Sequence, residues 1–130
     1  MGQQQLLLII LGVIVVGIAV AVGITMFADN AVSANKDAVT NDLVNLASRA
    51  QQYYRRPTAL GGGQGSFTTL TALSQLTAKP SNANGTYSLL TLGSTNIVLH
   101  GQGTEKGTDG NPLSIDMTVY ADSTTVLFHN

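Results

Sequence analysis

The chain has 130 residues, of which 10% are charged, and its formal net charge is −1. This length fits one compact domain, which argues against a large enzyme cleft, and the near-neutral charge argues against general binding of nucleic-acid backbones. Cysteine is absent, which excludes disulfides, thiolate metal sites and a cysteine nucleophile.

The first element is an uncharged run over residues 6–28, which reads LLLIILGVIVVGIAVAVGITMFA. The first ionisable side chain of the sequence is Asp29. As an α-helix of 1.5 Å rise per residue, the run is roughly 34 Å long, which is enough to cross a hydrocarbon layer of about 30 Å. We therefore expect residues 1–28 to form a helix that suits a membrane or the core of a filament.

Three interpretations of this run compete: a cleaved secretory signal, a permanent anchor, and a helix that packs with copies of itself. A secretory signal begins with a basic segment, and Met-Gly-Gln-Gln-Gln supplies none. An ordinary anchor usually carries Lys or Arg beside its cytoplasmic end, which is also missing here. A packing helix is the favoured interpretation, and a single-pass anchor with a docked soluble domain stays open.

Pairs of small residues inside the run favour close helix packing. Gly17 with Ala21, and Ala19 with Gly23, are four residues apart, a spacing that lets helix backbones approach closely. Glycine and alanine are also simply common in membrane helices, so the pattern alone does not decide. The residues predicted to pack in a filament core are Leu7, Ile10, Ile14, Val16, Gly17, Ala21 and Gly23.

Beyond Asp29 the helical periodicity continues with only one apolar face. The stripe comprises Val32, Val39, Leu43, Leu46, Ala50 and Tyr53. Pro57 ends the pattern just after two arginines, which suit the negative end of a helix. Residues 29–56 are therefore predicted to continue the first helix, and the residues predicted to dock it on the head are Val39, Leu43, Leu46 and Ala50.

Residues 57–130 are predicted to form a small head. A glycine-rich connector covers 61–65, and four apolar residues at intervals of three predict a short helix or 3₁₀ turn over 67–76. Alternating patterns then predict strands over 86–92, 96–102, 113–120 and 124–130, separated by turn residues. The expected fold class is α+β: a long N-terminal helix packed on a small antiparallel sheet, through strand residues such as Ile115, Met117 and Val119.

No chemistry of catalysis is predicted. His100 and His129 have no cysteine or paired-histidine motif beside them, so we expect exposed strand residues and no metal site. Glu105, Asp109 and Asp116 match no compact calcium-binding spacing. We therefore expect no enzyme activity, no cofactor and no specific nucleic-acid partner.

The uncharged N-terminus, the leucine- and isoleucine-rich run and its amphipathic continuation over 1–56 resemble the type IV pilins and pseudopilins. The resemblance implies a leader removed by a prepilin peptidase, residence in the cytoplasmic (inner) membrane, and transfer by an assembly machinery into an extracellular helical homopolymer. It also implies polar contacts around the N-terminal amine. The candidates for these contacts are Met1, Gln3, Gln4 and Gln5.

The chain departs from that family at several points. Gln5 stands where bacterial members usually carry a glutamate that answers the terminal ammonium of a neighbour, and glutamine brings no charge. The helix also lacks the usual proline near its middle, and the head lacks the usual C-terminal disulfide.

Two further hypotheses remain. The first is a minor pseudopilin or single-pass membrane-anchored accessory of a secretion system, which would share the helix but form no long fibres. The second is an electron-conducting fibre, prompted by Phe27, Tyr53 and Tyr54. Aromatic residues are only 5% of the chain, so structural packing explains these rings better.

Overall fold

A computed structural model describes residues 2–130. One helix, α1, runs unbroken from Gly2 to Arg55. Its 54 residues correspond to a rod of about 80 Å. No proline interrupts it, and Pro57 follows at once, where it begins a short 3₁₀ turn over Thr58–Leu60.

The glycine-rich connector folds back on the end of α1 and supplies hydrogen bonds to it. The backbone N–H groups of Gly63 and Gly65 donate to the carbonyls of Tyr53 and Tyr54, at 2.8 and 2.7 Å. The last carbonyls of a helix have no partner within the helix, so the connector satisfies them. The segment predicted only as a linker therefore also caps α1.

The head is a four-stranded antiparallel meander with the spatial order β1-β2-β3-β4. Its strands are β1 (Gly85–Leu92), β2 (Asn96–Lys106), β3 (Pro112–Tyr120) and β4 (Thr124–Phe128). The predicted α+β class, with the long helix against an antiparallel sheet, is confirmed.

β1 and β3 each begin one residue earlier than predicted, and two other strand boundaries differ by more. β2 continues past residue 102 because Gly103 pairs with Gly85 of β1. Glycines have no side chains, so the alternating pattern that predicts a strand does not extend to this pair. β4 ends at Phe128, two residues early, because Asn130 turns back toward Asp109 and donates to its carboxylate at 2.9 Å.

The core lies between α1 and the inner face of the sheet, with α1 packed on β2 and β3. The sheet contributes Tyr87, Ile97, Leu99, Leu113, Ile115, Met117 and Val119. The segment between connector and sheet adds Phe67, Leu70, Leu73 and Leu76, all buried, with a 3₁₀ turn over Leu73–Gln75.

Two glycines of β2 allow the helix to lie close to the sheet. A Cβ added at Gly101 would come within 2.8 Å of a methyl carbon of Val39, and one at Gly103 within 2.2 Å of the side-chain oxygen of Asn35. A side chain at either position would force α1 away from β2. The close approach at Gly101 and Gly103 was not predicted, because glycines carry no hydrophobic signal.

Candidate assembly interface

The first half of α1 has no partner in the described part of the chain. Every large apolar side chain from Leu6 to Phe27 is between 52% and 78% exposed. Full burial of one such side chain contributes about 1.5–3 kcal/mol. Leaving the whole run in water therefore costs on the order of tens of kcal/mol, which exceeds the usual stability of a small domain, about 5–15 kcal/mol. This half of the helix needs lipid or other protein around it.

The small residues of this half have no packing role inside the subunit. A Cβ added at Gly12, Gly17 or Gly23 meets nothing within 4 Å. The hydroxyl of Thr25 donates to the carbonyl of Ala21 at 3.1 Å, so this polar group is already satisfied within the helix. Between residues 6 and 28 the surface is thus smooth along the small residues and has no polar side chain that needs water.

The predicted core-packing residues Leu7, Ile10, Ile14, Val16, Gly17, Ala21 and Gly23 all lie on this exposed half. Five of them are spaced three or four residues apart and share one face of the helix, namely Leu7, Ile10, Ile14, Gly17 and Ala21. Val16 and Gly23 lie on the opposite face. No packing between copies can be read from a single subunit, so their role in a filament stays a prediction.

The glutamines occupy the first turn of α1, where Gln3, Gln4 and Gln5 are exposed. The first turn contains no acidic side chain, although its free N–H groups attract negative charge. Met1 lies outside the described residues, so the predicted contact between its amine and these amides stays a prediction.

The helix changes character when it reaches the head. The residues predicted to dock it are buried: Val39, Leu43 and Ala50 are 0% exposed, and Leu46 is 6% exposed. Ala47 is buried as well, at 2%, and was not predicted. It lies one helical turn after Leu43, which is the spacing that would have identified it.

On one flank of the helix, Asp42 collects three donors from the loop before β1 and from β1 itself. Its Oδ2 accepts hydrogen bonds from the side-chain amides of Asn82 and Asn84, both at 3.0 Å, and from the hydroxyl of Tyr87. Burial alone would raise the pKa of the Asp42 carboxyl, but these hydrogen bonds outweigh it and lower that pKa below its usual value. Burial and the neighbouring carboxylate raise the pKa of Tyr87.

Asn35 also joins α1 to the sheet, about two helical turns closer than Asp42 to the exposed first half of the helix. Its amide donates to the carbonyl of Asn84 at 2.8 Å, and its oxygen accepts the N–H of Thr104 at 3.1 Å and of Glu105 at 3.3 Å. Polar groups beside the apolar stripe therefore fix the rotation of α1 on the sheet. None of these contacts was predicted, because their partners are 49 or more residues away in sequence.

At the far end of the helix, Gln51 and Arg55 hold the turn between β3 and β4. The amide of Gln51 donates to the carbonyls of Tyr120 and Ser123 at 3.2 and 3.4 Å. The guanidinium of Arg55 donates to the carbonyl of Ala121 at 3.4 Å. The docked half of α1 is thus bonded to the head along its whole length.

The two histidines lie in a cluster that was not predicted: His100 is half-buried in β2, and His129 is exposed just after β4. Asp116 of β3 contacts His100 Nδ1 at 2.5 Å and His129 Nε2 at 2.7 Å. Burial would raise the pKa of the Asp116 carboxyl, but the hydrogen bonds from both imidazoles outweigh it and lower that pKa. The cluster ties the C-terminal residues to the sheet. The residues described include no group of three or more ligand side chains that could hold a metal ion.

The chain matches no protein-family model, no curated protein and no solved structure. The comparison with known protein architectures therefore rests on the geometry alone. One continuous helix is apolar and exposed in its first half, and its second half packs on a four-stranded antiparallel sheet. The architecture is pilin-like. By length and composition α1 is able to cross a membrane, which is consistent with membrane association or with a signal sequence.

Proposed function

We propose that the chain is the structural subunit of an extracellular helical filament of the type IV pilin kind. The observation that carries the proposal is the division of α1, whose docked half is buried on the head while its first half is bare on every side. Copies of the chain cover this first half by packing their helices together, and the heads form the outer surface.

The composition of the helix supports a polymer over a solitary anchor. Between Gln5 and Asp29 the helix has no charged side chain, and its large apolar side chains are more than half exposed in the subunit. A Cβ added at Gly17 or Gly23 would meet nothing within 4 Å in the subunit. Each glycine is four residues from an alanine, a spacing of small residues that allows helices to approach closely. Since α1 is unbroken, the apolar half is a rigid extension of the head.

The proposal assigns partners by resemblance. Before assembly the chain resides in the cytoplasmic membrane, a prepilin peptidase processes it, and an assembly machinery transfers it outward. In this account the chain has a structural role, open to uses such as adhesion, and is not an enzyme.

The test is to image surface material sheared from cells by negative-stain microscopy and to identify its subunit by mass spectrometry. We expect abundant thin fibres whose main component is this chain, and we expect fibres to disappear when its gene is deleted. An intact mass that corresponds to residues 1–130, with or without one methyl group, would support processing before Met1.

The same experiment separates the proposal from its alternative. A chain that is scarce in sheared material, while fibres persist without it, would be a minor pseudopilin or an anchored accessory. A chain recovered only as detergent-solubilised monomers from membranes, with no fibres in any sample, would contradict the proposal.

A further inference from the structure

A groove runs along the docked half of α1, between the helix and the chain that leads into β1. It consists of two adjoining clefts of about 370 and 270 Å³, and Arg49 lines both of them. Asp42 and Lys79 belong to the first cleft, and Arg56 belongs to the second. The groove is open to solvent and lies on the head, away from the apolar half of the helix.

Three cations line this groove without an acidic partner. Among residues 2–130, only two contacts within 4 Å join a carboxylate to a cationic or imidazole side chain, and both are between Asp116 and a histidine. Arg49, Arg56 and Lys79 therefore keep their charges free. The guanidinium of Arg49 also donates to the carbonyl of Leu76 at 3.1 Å, which holds its head group in the groove.

The acid of the groove is already engaged. Asp42 lies at one end, and its Oδ2 accepts three hydrogen bonds from its own head. The lining side chains thus have three positive charges and one negative charge, in a protein whose formal net charge is −1. This local excess favours an anionic ligand in the groove.

Side-chain amides alternate with the cations on the same face of the helix. Asn45 precedes Arg49 by four residues, Gln52 follows it by three, and Arg56 comes four residues later. Residues at this spacing share one helix face, and Arg49 and Arg56 are about 10 Å apart along the axis. Exposed amides offer both donors and acceptors, which suit the hydroxyl groups of a sugar.

We infer that this groove binds a linear anionic polysaccharide, in which the arginines and Lys79 pair with carboxylate groups while the amides of Asn45 and Gln52 bond to sugar hydroxyls. The planar guanidinium fits a carboxylate through two parallel hydrogen bonds. The span between Arg49 and Arg56 is comparable with the length of a disaccharide, so that successive acidic groups meet successive cations.

The same features disfavour nucleic acid. Duplex DNA carries one negative charge per about 1.7 Å of its axis, far denser than cations about 10 Å apart. Proteins that bind single strands stack the bases on exposed aromatic rings. The tyrosines of the groove, Tyr53 and Tyr87, are each only 5% exposed, so they offer no such surface.

The binding test uses the full chain dispersed in detergent, with oligomers of a uronic acid (alginate fragments) as the probe. We expect measurable binding that weakens with salt, and little binding of neutral dextran fragments of the same length. Arg56→Gln should weaken binding about tenfold, the loss expected for a hydrogen bond between charged groups, and adding Lys79→Gln should weaken it further.

Arg55→Gln is the matched control. It removes the same charge from the neighbouring residue, but Arg55 bonds to Ala121 and lies outside the groove. We expect it to change binding less than twofold, and Arg56→Lys to retain most of the binding. Equal thermal melting of all variants shows that their heads are folded.

Four results would overturn the inference: no measurable binding of alginate, equal losses for Arg55→Gln and Arg56→Gln, dextran bound as tightly as alginate, or single-stranded DNA bound more tightly than either. Because the probe is added to dispersed chains, absence of binding would leave the proposed filament role untouched. The inference depends on the proposed filament role only because that role places the groove on an outer surface. Fibre formation is measured in a separate experiment.

Discussion

The two halves of α1 belong to one unbroken helix but differ in how much of their apolar side chains is exposed. In the docked half, Leu43 and Ala50 are completely buried and polar contacts flank them. In the first half, residues such as Leu7 and Val16 are 66% and 61% exposed. The comparison teaches that the head is complete by itself, whereas the first half is complete only in lipid or among copies.

The largest effect is expected from a charge placed in the exposed first half of α1. Val16→Asp should abolish fibres, because an unpaired carboxylate in a dry core costs several kcal/mol in every subunit. Sheared material viewed by microscopy measures the result, and Val16→Leu should assemble normally. Val16→Asp fibres of ordinary number and length would mean that this segment is not in a dry core.

A core truncation tests the docked half. Leu43→Ala should lower the free energy of unfolding of a fragment of residues 29–130 by roughly 2–5 kcal/mol, because it leaves a cavity between helix and sheet. Urea titration followed by circular dichroism measures the effect. Val44→Ala is the control, since Val44 is 48% exposed and should change stability far less. Equal effects of the two changes would argue against the observed rotation of the helix.

Acid should weaken the head and its contact with α1 through carboxylates that accept hydrogen bonds. The folded-state pKa values of Asp42 and Asp116 are lowered from the model-compound value of 3.8. Such a group contributes stability that is present above its unfolded pKa and is lost as the pH falls through its folded pKa. We therefore expect the free energy of unfolding of residues 29–130 to fall as the pH drops below about 4.

The variant for this prediction is Asp42→Asn, which removes one of the carboxylates whose pKa is lowered. It should reduce the difference in stability between neutral and acid pH, while Asp37→Asn, at an exposed position of the same helix, serves as the charge-matched control. A pH dependence that is identical in both variants would show that the hydrogen bonds to Asp42 contribute nothing to it.

The smallest effect is expected at the first turn, where assembly has to accommodate a terminal ammonium. Changing Gln3, Gln4 and Gln5 together to leucine should lower the yield of fibres or disturb their helical register, because the amides are the only polar side chains before Thr25. Gln5→Glu should preserve or strengthen assembly. If the triple-leucine variant forms fibres of unchanged yield, rise and twist, the glutamines do not contact the terminal ammonium and serve only as polar residues at the membrane surface.

The sequence predicted those parts of the fold that depend on periodicity. The apolar run, the stripe through Leu43 and the alternation through Ile115 each repeat with the period of a helix or a strand, and all correspond to observed elements. The alternation of buried and less buried residues along β3 also places Asp116 on the face opposite to Ile115. It did not reveal the close approach of β2, because Gly101 and Gly103 carry no side chain that repeats.

The polar contacts were not predictable, because they join residues that are distant in sequence. The stripe places Asp42 beside the docking surface, but nothing in its neighbourhood indicates Asn84 as its partner. The cluster of His100, Asp116 and His129 likewise depends on the register of β2 against β3 and on the turn after β4. The groove residues were missed for the same reason, since Lys79 meets Arg49 only in the folded head.

The most direct measurement is the chemical accessibility of the bare half inside isolated fibres. Because the chain has no cysteine, Ile14→Cys and Val44→Cys each introduce a single labelling site. In detergent-free fibres we expect a water-soluble maleimide to label position 44 readily and position 14 only after the fibres are dissociated by denaturant. Equal labelling of both positions in intact fibres would contradict the burial of the first half between subunits.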